Sequence, residues 1–223
     1  MPRHAIIIAH GQPSDPAPQQ AAIEALAAQV AALLPDWRIH GATLADDAAL
    51  RRAVAAAGDG AVIYPMFMAA GWFTGSELPR RLERAGAVRP QILPPFGLDP
   101  ALPDLCRAIV EKAAPENAVL LLVAHGSQRA RGSANGANEM AAKLAPHLGR
   151  VVTAFIEEAP FVADQARDLG PDAICLPFFA TSAEHVTDDI PKALDKAGFA
   201  GLRLPPVGTD ARAPALIARA IAG

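Results

Sequence analysis

At 223 residues, 52% of them hydrophobic, and with a formal net charge of −3, the chain is long enough to bury one large core or two small ones and has no global basic field to hold nucleic acid. Its longest apolar run, Ala118–Ala124, is seven residues, far short of the ~20 that span a bilayer, and the opening MPRHAIIIAHG reads as a first strand rather than a signal peptide. No membrane association and a cytoplasmic location are therefore expected. Cys106 and Cys175 lie in apolar segments without a CxxC partner, which points to buried free thiols rather than a disulfide or zinc site.

Taken in order, Ala5–Ala9 is a short buried strand, and it leads into a helix whose Ile23, Leu26, Ala27, Val30, Leu33 and Leu34 fall on one face and which stops at Pro35. A second strand is predicted at about Arg38–Leu44, followed by a helix opened by Asp46 or Asp47 and ended by Gly58. A strand at Ala61–Tyr64, a helix from Ser76, a short strand at Gln91–Leu93 and a helix from about Asp99 to Ala113 complete the first half. The second half repeats that order, with strands near 118–124, 150–156, 173–178 and 202–204. Strand and helix in alternation imply right-handed βαβ units and parallel sheets covered by helices.

The halves are copies. AIIIAHG (Ala5–Gly11) answers VLLLVAHG (Val119–Gly126), and LPPFGLDPALPDL (Leu93–Leu105) matches LPPVGTDARAPAL (Leu204–Leu216) at seven of thirteen positions. Pro65–Pro79 matches Pro177–Pro191, fourteen residues from proline to proline in each. The expected architecture is α/β, two similar lobes related by internal duplication, 1–114 and 115–223.

Three potential metal ligands stand at the carboxyl ends of three strands of the second copy: His125, Glu157 in TAFIEEAP, and His185 on the loop beyond the third strand. That edge of an open parallel sheet is where ligands bind. Two imidazoles and a carboxylate suit a divalent first-row ion and leave positions open for chemistry. Glu157 and Glu158 are adjacent, so on a continuing strand they point to opposite faces and one alone can face the site. In the first copy His10 is kept, but Phe73 stands where His185 would be and roughly Leu44 where Glu157 would be. Trp72, Phe73, Met66 and Met68 form an apolar, polarizable group there, suited either to the core or to packing on a flat ligand.

VAHGS (Val123–Ser127), AFIEE (Ala154–Glu158) and PFFATSAEHVTDDIP (Pro177–Pro191) resemble the motifs of the class II chelatases, most closely the CbiX-type sirohydrochlorin chelatases, over nearly the whole chain. The resemblance implies insertion of Fe²⁺ or Co²⁺ into sirohydrochlorin, without ATP, in a cleft between two α/β lobes, on the way to sirohaem or cobalamin. It implies His125, Glu157 and His185 as catalytic metal ligands, with Glu157 the inward glutamate. Asp189 is expected either to orient His185 or simply to start a helix. His10, Trp72 and Phe73 are expected to meet the substrate. The Ser127 hydroxyl, Arg129 and Arg131 are candidate anchors for its carboxylates, the two arginines being equally readable as solvated loop charges.

Because both copies lie in one chain, a monomer is expected in place of a dimer of half-length chains, with a tetrapyrrole and a divalent ion as its partners. No GxxxxGK phosphate loop occurs, in keeping with a reaction that needs no nucleotide and no cofactor beyond the metal. Histidine phosphatases also place a histidine after their first strand, but they need an arginine beside it, where this chain has Ala9 and Ala124. A non-catalytic carrier of metal or tetrapyrrole uses the same ligands and is separated from an enzyme only by turnover.

Overall fold

The computed structural model describes residues 2–113, 118–127 and 134–223. The first copy runs β1 (Arg3–Ala9), α1 (Pro16–Leu33), β2 (Trp37–Thr43), α2 (Asp47–Ala57), β3 (Val62–Pro65), α3 (Leu78–Arg84), β4 (Gln91–Ile92) and α4 (Leu102–Ala113). The second runs β5 (Leu120–Ala124), α5 (Asn135–Leu148), β6 (Val151–Phe155), α6 (Val162–Arg167), β7 (Ile174–Pro177), α7 (Ile190–Ala197), β8 (Leu202–Arg203) and α8 (Ala213–Ala222). All strand pairs are parallel, in the orders β2-β1-β3-β4 and β6-β5-β7-β8.

The central strands are apolar on both faces because helices cover both. Ile6, Ile7 and Ile8 in β1 and Leu120 to Val123 in β5 are all buried. One core gathers Ile6, Ile8, Leu50, Ile63, Leu78 and Leu82; the other gathers Leu121, Val123, Val162, Cys175, Ile190 and Leu194. Asp46 starts α2 as expected, its carboxylate accepting hydrogen bonds from the backbone N–H groups of Ala48 and Ala49.

The repeated LPPxG motif has a packing reason. Gly97 and Gly208 donate their N–H groups to Phe67 O and Phe179 O at 2.9 and 3.0 Å. A Cβ on Gly97 would lie 1.9 Å from Met68 O, and one on Gly208 2.0 Å from Ala180 O, so only glycine admits this backbone approach.

Spatial grouping differs from the order of the copies. Residues up to Asp99 pack with Ala211–Gly223, and Pro100–Asp210 form the other compact unit. Thus α8 lies against α1 and β3, while α4 lies against α5. The two last helices carry matching apolar faces, with Leu105 and Val110 buried in α4 where Leu216 and Ile221 are buried in α8, and each groups with the other copy's elements. The expected copy boundary, between 114 and 115, falls outside the described residues.

Candidate metal site at the carboxyl edge of the second sheet

In each sheet the chain goes first to one side of its central strand and then to the other, which opens a crevice at the carboxyl ends of β1/β3 and of β5/β7. His10 and His125 leave β1 and β5 at those crevices. Beyond β3 and β7 the chain makes one wide π turn, Phe73–Glu77 and His185–Asp189, directly before α3 and α7. Pro79 and Pro191, the second residues of those helices, lack an N–H, and their rings crowd the carbonyl four residues back, which widens the preceding turn. His185 therefore lies within the helical segment, not on a loop ahead of it as the sequence suggested.

The turn sets His185 and Asp189 face to face. His185 Nδ1 lies 2.7 Å from Asp189 Oδ2, so Nδ1–H donates to the carboxylate and the lone pair is left on Nε2. His125 Nδ1 lies 2.8 Å from Gly126 O, which fixes the same tautomer there. The two Nε2 atoms approach to 3.2 Å, with the rings 86° apart. Two lone pairs at that distance repel unless a cation or proton lies between them. A first-row ion ~2.1 Å from each would subtend an N–metal–N angle of roughly 100°, within the range of open four- to six-coordinate sites.

Glu157 is the glutamate beside this pair, its Oε1 3.8 Å from His125 Nε2. Its N–H donates to His125 O at 2.9 Å, which ties the two segments together. Glu158 turns away and accepts a hydrogen bond from Ser127 N at 2.9 Å. Among the described residues no three His, Cys, Asp or Glu side chains already stand close enough to enclose an ion. The two imidazoles are held by their Nδ1 bonds, and the Glu157 carboxylate beside them is half-exposed. Glu157, His185 and Asp189 line a cavity of about 530 Å³ that also takes in Phe161, an exposed aromatic residue that the sequence did not single out.

The first copy shows what becomes of the same frame without a second imidazole. His10 Nδ1 meets Gly11 O at 2.9 Å, as His125 meets Gly126. Its ring sits edge-on to Phe73, centroids 4.6 Å apart, and Trp72 meets Phe73 at 5.0 Å. Trp72 and Phe73 are exposed, whereas Met66 is buried in the core and adds nothing to that surface; Met68 is half-buried. Ala45 N–H donates to His10 O just as Glu157 N–H donates to His125 O, so Ala45, not Leu44, occupies the glutamate's position. Glu77, four residues after Phe73 as Asp189 is after His185, is buried and clasped by Arg80 and Arg81. The Arg81 and Arg80 guanidiniums hold its carboxyl below the usual range. Aligning the two proline-bounded segments would have paired Glu77 with Asp189 in sequence. Arg81 also reaches Asp47, and both line a cavity of about 400 Å³ with His10, Trp72 and Phe73.

Of the remaining candidates, Ser127 is two residues past His125 with its N–H on Glu158, whereas Arg129 and Arg131 lie outside the described residues. Cys106 and Cys175 are buried and free, as expected, and burial pushes each thiol up to about 12. Among the described residues no helix is long and apolar enough to cross a membrane.

A solved structure of CbiX, the terminal enzyme for biosynthesis of siroheme in denitrifying bacteria, is 57% identical to this chain, covers 99% of it and 98% of its own length, and superposes with a TM-score of 0.91. SirB from Bacillus subtilis with Fe³⁺ is 16% identical, covering 100% of this chain and 95% of its own, with a TM-score of 0.74. The sirohydrochlorin chelatase SirB from Bacillus subtilis subspecies spizizenii in complex with cobalt is 13% identical, covering 100% and 94%, with a TM-score of 0.72. At those two identities the likeness is one of fold. No curated protein matches the chain. The CbiX family model matches twice, over residues 4–113 and 119–222, and with both halves accounted for the chain belongs to the CbiX family.

Proposed function

We propose that this protein is a sirohydrochlorin chelatase that inserts Fe²⁺ or Co²⁺ into the macrocycle without ATP. The observation that carries the proposal is the pair of Nε2 atoms 3.2 Å apart, each ring held by its own Nδ1 bond. The 57% identical CbiX is the terminal enzyme of siroheme biosynthesis, and siroheme is an iron complex, which supports metal insertion as the reaction.

The chemistry is a balanced exchange. The macrocycle gives up two pyrrole protons and its nitrogens take up one divalent ion, with no change of oxidation state. Neutral His125 and His185 hold the aquated ion through Nε2 without adding charge, so the ion keeps its pull on the incoming nitrogen lone pairs. As the metal leaves for the ring, the imidazoles are freed and stand, with the Glu157 carboxylate, where they accept the departing protons. Asp189 holds His185 in register throughout. His10, Trp72 and Phe73 offer an aromatic surface to the macrocycle, and the Ser127 hydroxyl is a donor for one of its carboxylates. Both copies are supplied by one chain, which supports a monomer; a cytoplasmic location belongs to the same proposal.

The test is anaerobic incubation of sirohydrochlorin with Fe²⁺ or Co²⁺ and a catalytic amount of protein, without nucleotide, followed by visible absorption. Multiple turnovers are expected, with uroporphyrin III a poorer substrate. Metallation that stops at one equivalent identifies a carrier instead, and a strict ATP requirement refutes the proposal.

A further inference from the structure

The two glutamates that follow β6 are engaged differently, and the second has a role that follows from a single peptide plane. Glu158 Oε1 accepts the Ser127 N–H at 2.9 Å. That N–H belongs to the same peptide unit as the Gly126 carbonyl, and the Gly126 carbonyl is the group that receives His125 Nδ1–H at 2.8 Å. One flat peptide, with restricted rotation about its C–N bond, thus bears the glutamate on one edge and the histidine on the other. We propose that Glu158 is a positioning residue for His125, acting through the Gly126–Ser127 peptide as Asp189 acts directly on His185.

The local geometry is built around this contact. Gly126 has φ +72°, and a Cβ there would lie 2.8 Å from Glu158 Cγ and 3.0 Å from its Oε1, so the carboxylate rests against the turn in space that only glycine leaves. A carboxylate bound at the N–H also polarises the peptide and strengthens its carbonyl as an acceptor, since hydrogen bonds in a chain reinforce one another. The result is a fixed Nδ1–H tautomer and a fixed ring plane, with His125 Nε2 aimed at His185 Nε2. In the first copy, the nearest atoms to a Cβ on Gly11 would be Ala45 Cβ and Thr43 Cβ, both at 2.7 Å. The copy that faces two imidazoles is the one with a carboxylate packed against this turn.

The inference rests on the proposed metal site, so its primary measurement is Co²⁺ binding under anaerobic conditions without tetrapyrrole, which needs no turnover. Glu158→Ala should weaken Co²⁺ binding by about tenfold or more, within the ~10- to 100-fold range for outer partners of metal-bound histidines, and lower kcat with KM for sirohydrochlorin changed by less than about twofold. Glu158→Gln keeps an oxygen for the Ser127 N–H and should recover Co²⁺ affinity to within about threefold of the parent. Glu158→Met, of similar size but without a strong acceptor, repeats the alanine measurement should that variant fail to fold. The proposal is overturned if the alanine or methionine variant binds Co²⁺ as the parent does, if glutamine is as weak as alanine, or if the whole effect lies in KM. A parent protein that binds Co²⁺ but never metallates sirohydrochlorin refutes the chelatase function and leaves this comparison intact.

Discussion

Asp189→Ala removes the carboxylate that accepts His185 Nδ1–H and leaves the imidazole itself in place, which makes it a sharp probe of the proposed site. The 2.7 Å contact is at the short end for a neutral nitrogen donor and a carboxylate. A hydrogen bond to a charged group contributes about 1.5–3 kcal/mol when shielded from water. The side chains here are 42% and 41% exposed, so solvent screening leaves roughly half of that, about 1 kcal/mol, or a factor of ~5–10 in metal affinity. Asp189→Asn, whose amide oxygen still accepts Nδ1–H, should retain more, with a loss of about threefold. His185→Ala, by contrast, deletes the proposed ligand and should cost about a hundredfold or more, at or above the top of the range for outer partners. The assay is anaerobic Co²⁺ titration of the three variants, followed by steady-state metallation with sirohydrochlorin varied at saturating metal. The order parent, Asn, Ala, His185→Ala is expected in both. If Asp189→Ala binds metal as the parent does, or shifts only the KM for sirohydrochlorin, Asp189 serves the helix and not the histidine.

Catalysis should be lopsided across the duplication: His125→Ala and His185→Ala are each expected to reduce kcat about a hundredfold, whereas His10→Ala acts mainly on KM, as steady-state rates of the folded variants will show. Equal damage to kcat from His10→Ala would mean that the active half has been misassigned. Glu77, held below its usual range by Arg81 and Arg80, binds fewer protons folded than unfolded. Its contribution is therefore present above the unfolded carboxyl value and is lost as pH falls through the folded one. Glu77→Gln should lower the thermal midpoint at pH 7 and flatten its decline as pH falls below the usual carboxyl value, and an unchanged acid slope would contradict this. Cys106 and Cys175, buried and pushed up to about 12, should resist a thiol reagent at pH 8 until the protein is unfolded, when both react.

Much of the fold can be read from the chain because a doubly covered parallel strand is apolar along its whole length. AIIIA and VLLLVA leave little doubt where the centre of each sheet lies, and a residue that directly follows such a strand, as His10 and His125 do, must emerge at its carboxyl edge. Duplication adds a second signal, since the same proline and glycine spacings recur wherever the same backbone approach or widened turn recurs, as at Gly97 and Gly208 or Pro79 and Pro191. The strand-end histidines and the acidic pair after β6 were therefore visible as a set.

What periodicity could not supply is the conformation of the chain once regular structure ends. Alternation along a strand says that Glu157 and Glu158 diverge; the hydrogen bonds of Glu157 N to His125 O and of Ser127 N to Glu158 decide which one stands by the imidazole, and both reach across to another strand's loop. The burial of Met66 and the exposure of Trp72 follow from neighbours distant in sequence, which periodicity does not name. The exchange of α4 and α8 leaves no mark in the sequence, because the two helices carry matching apolar faces. Local physics, namely hydrophobic period, proline, glycine and the order of strands, determined which groups arrive at one edge; only tertiary contact determined which of them meet, because hydrogen bonds and burial depend on distance in space.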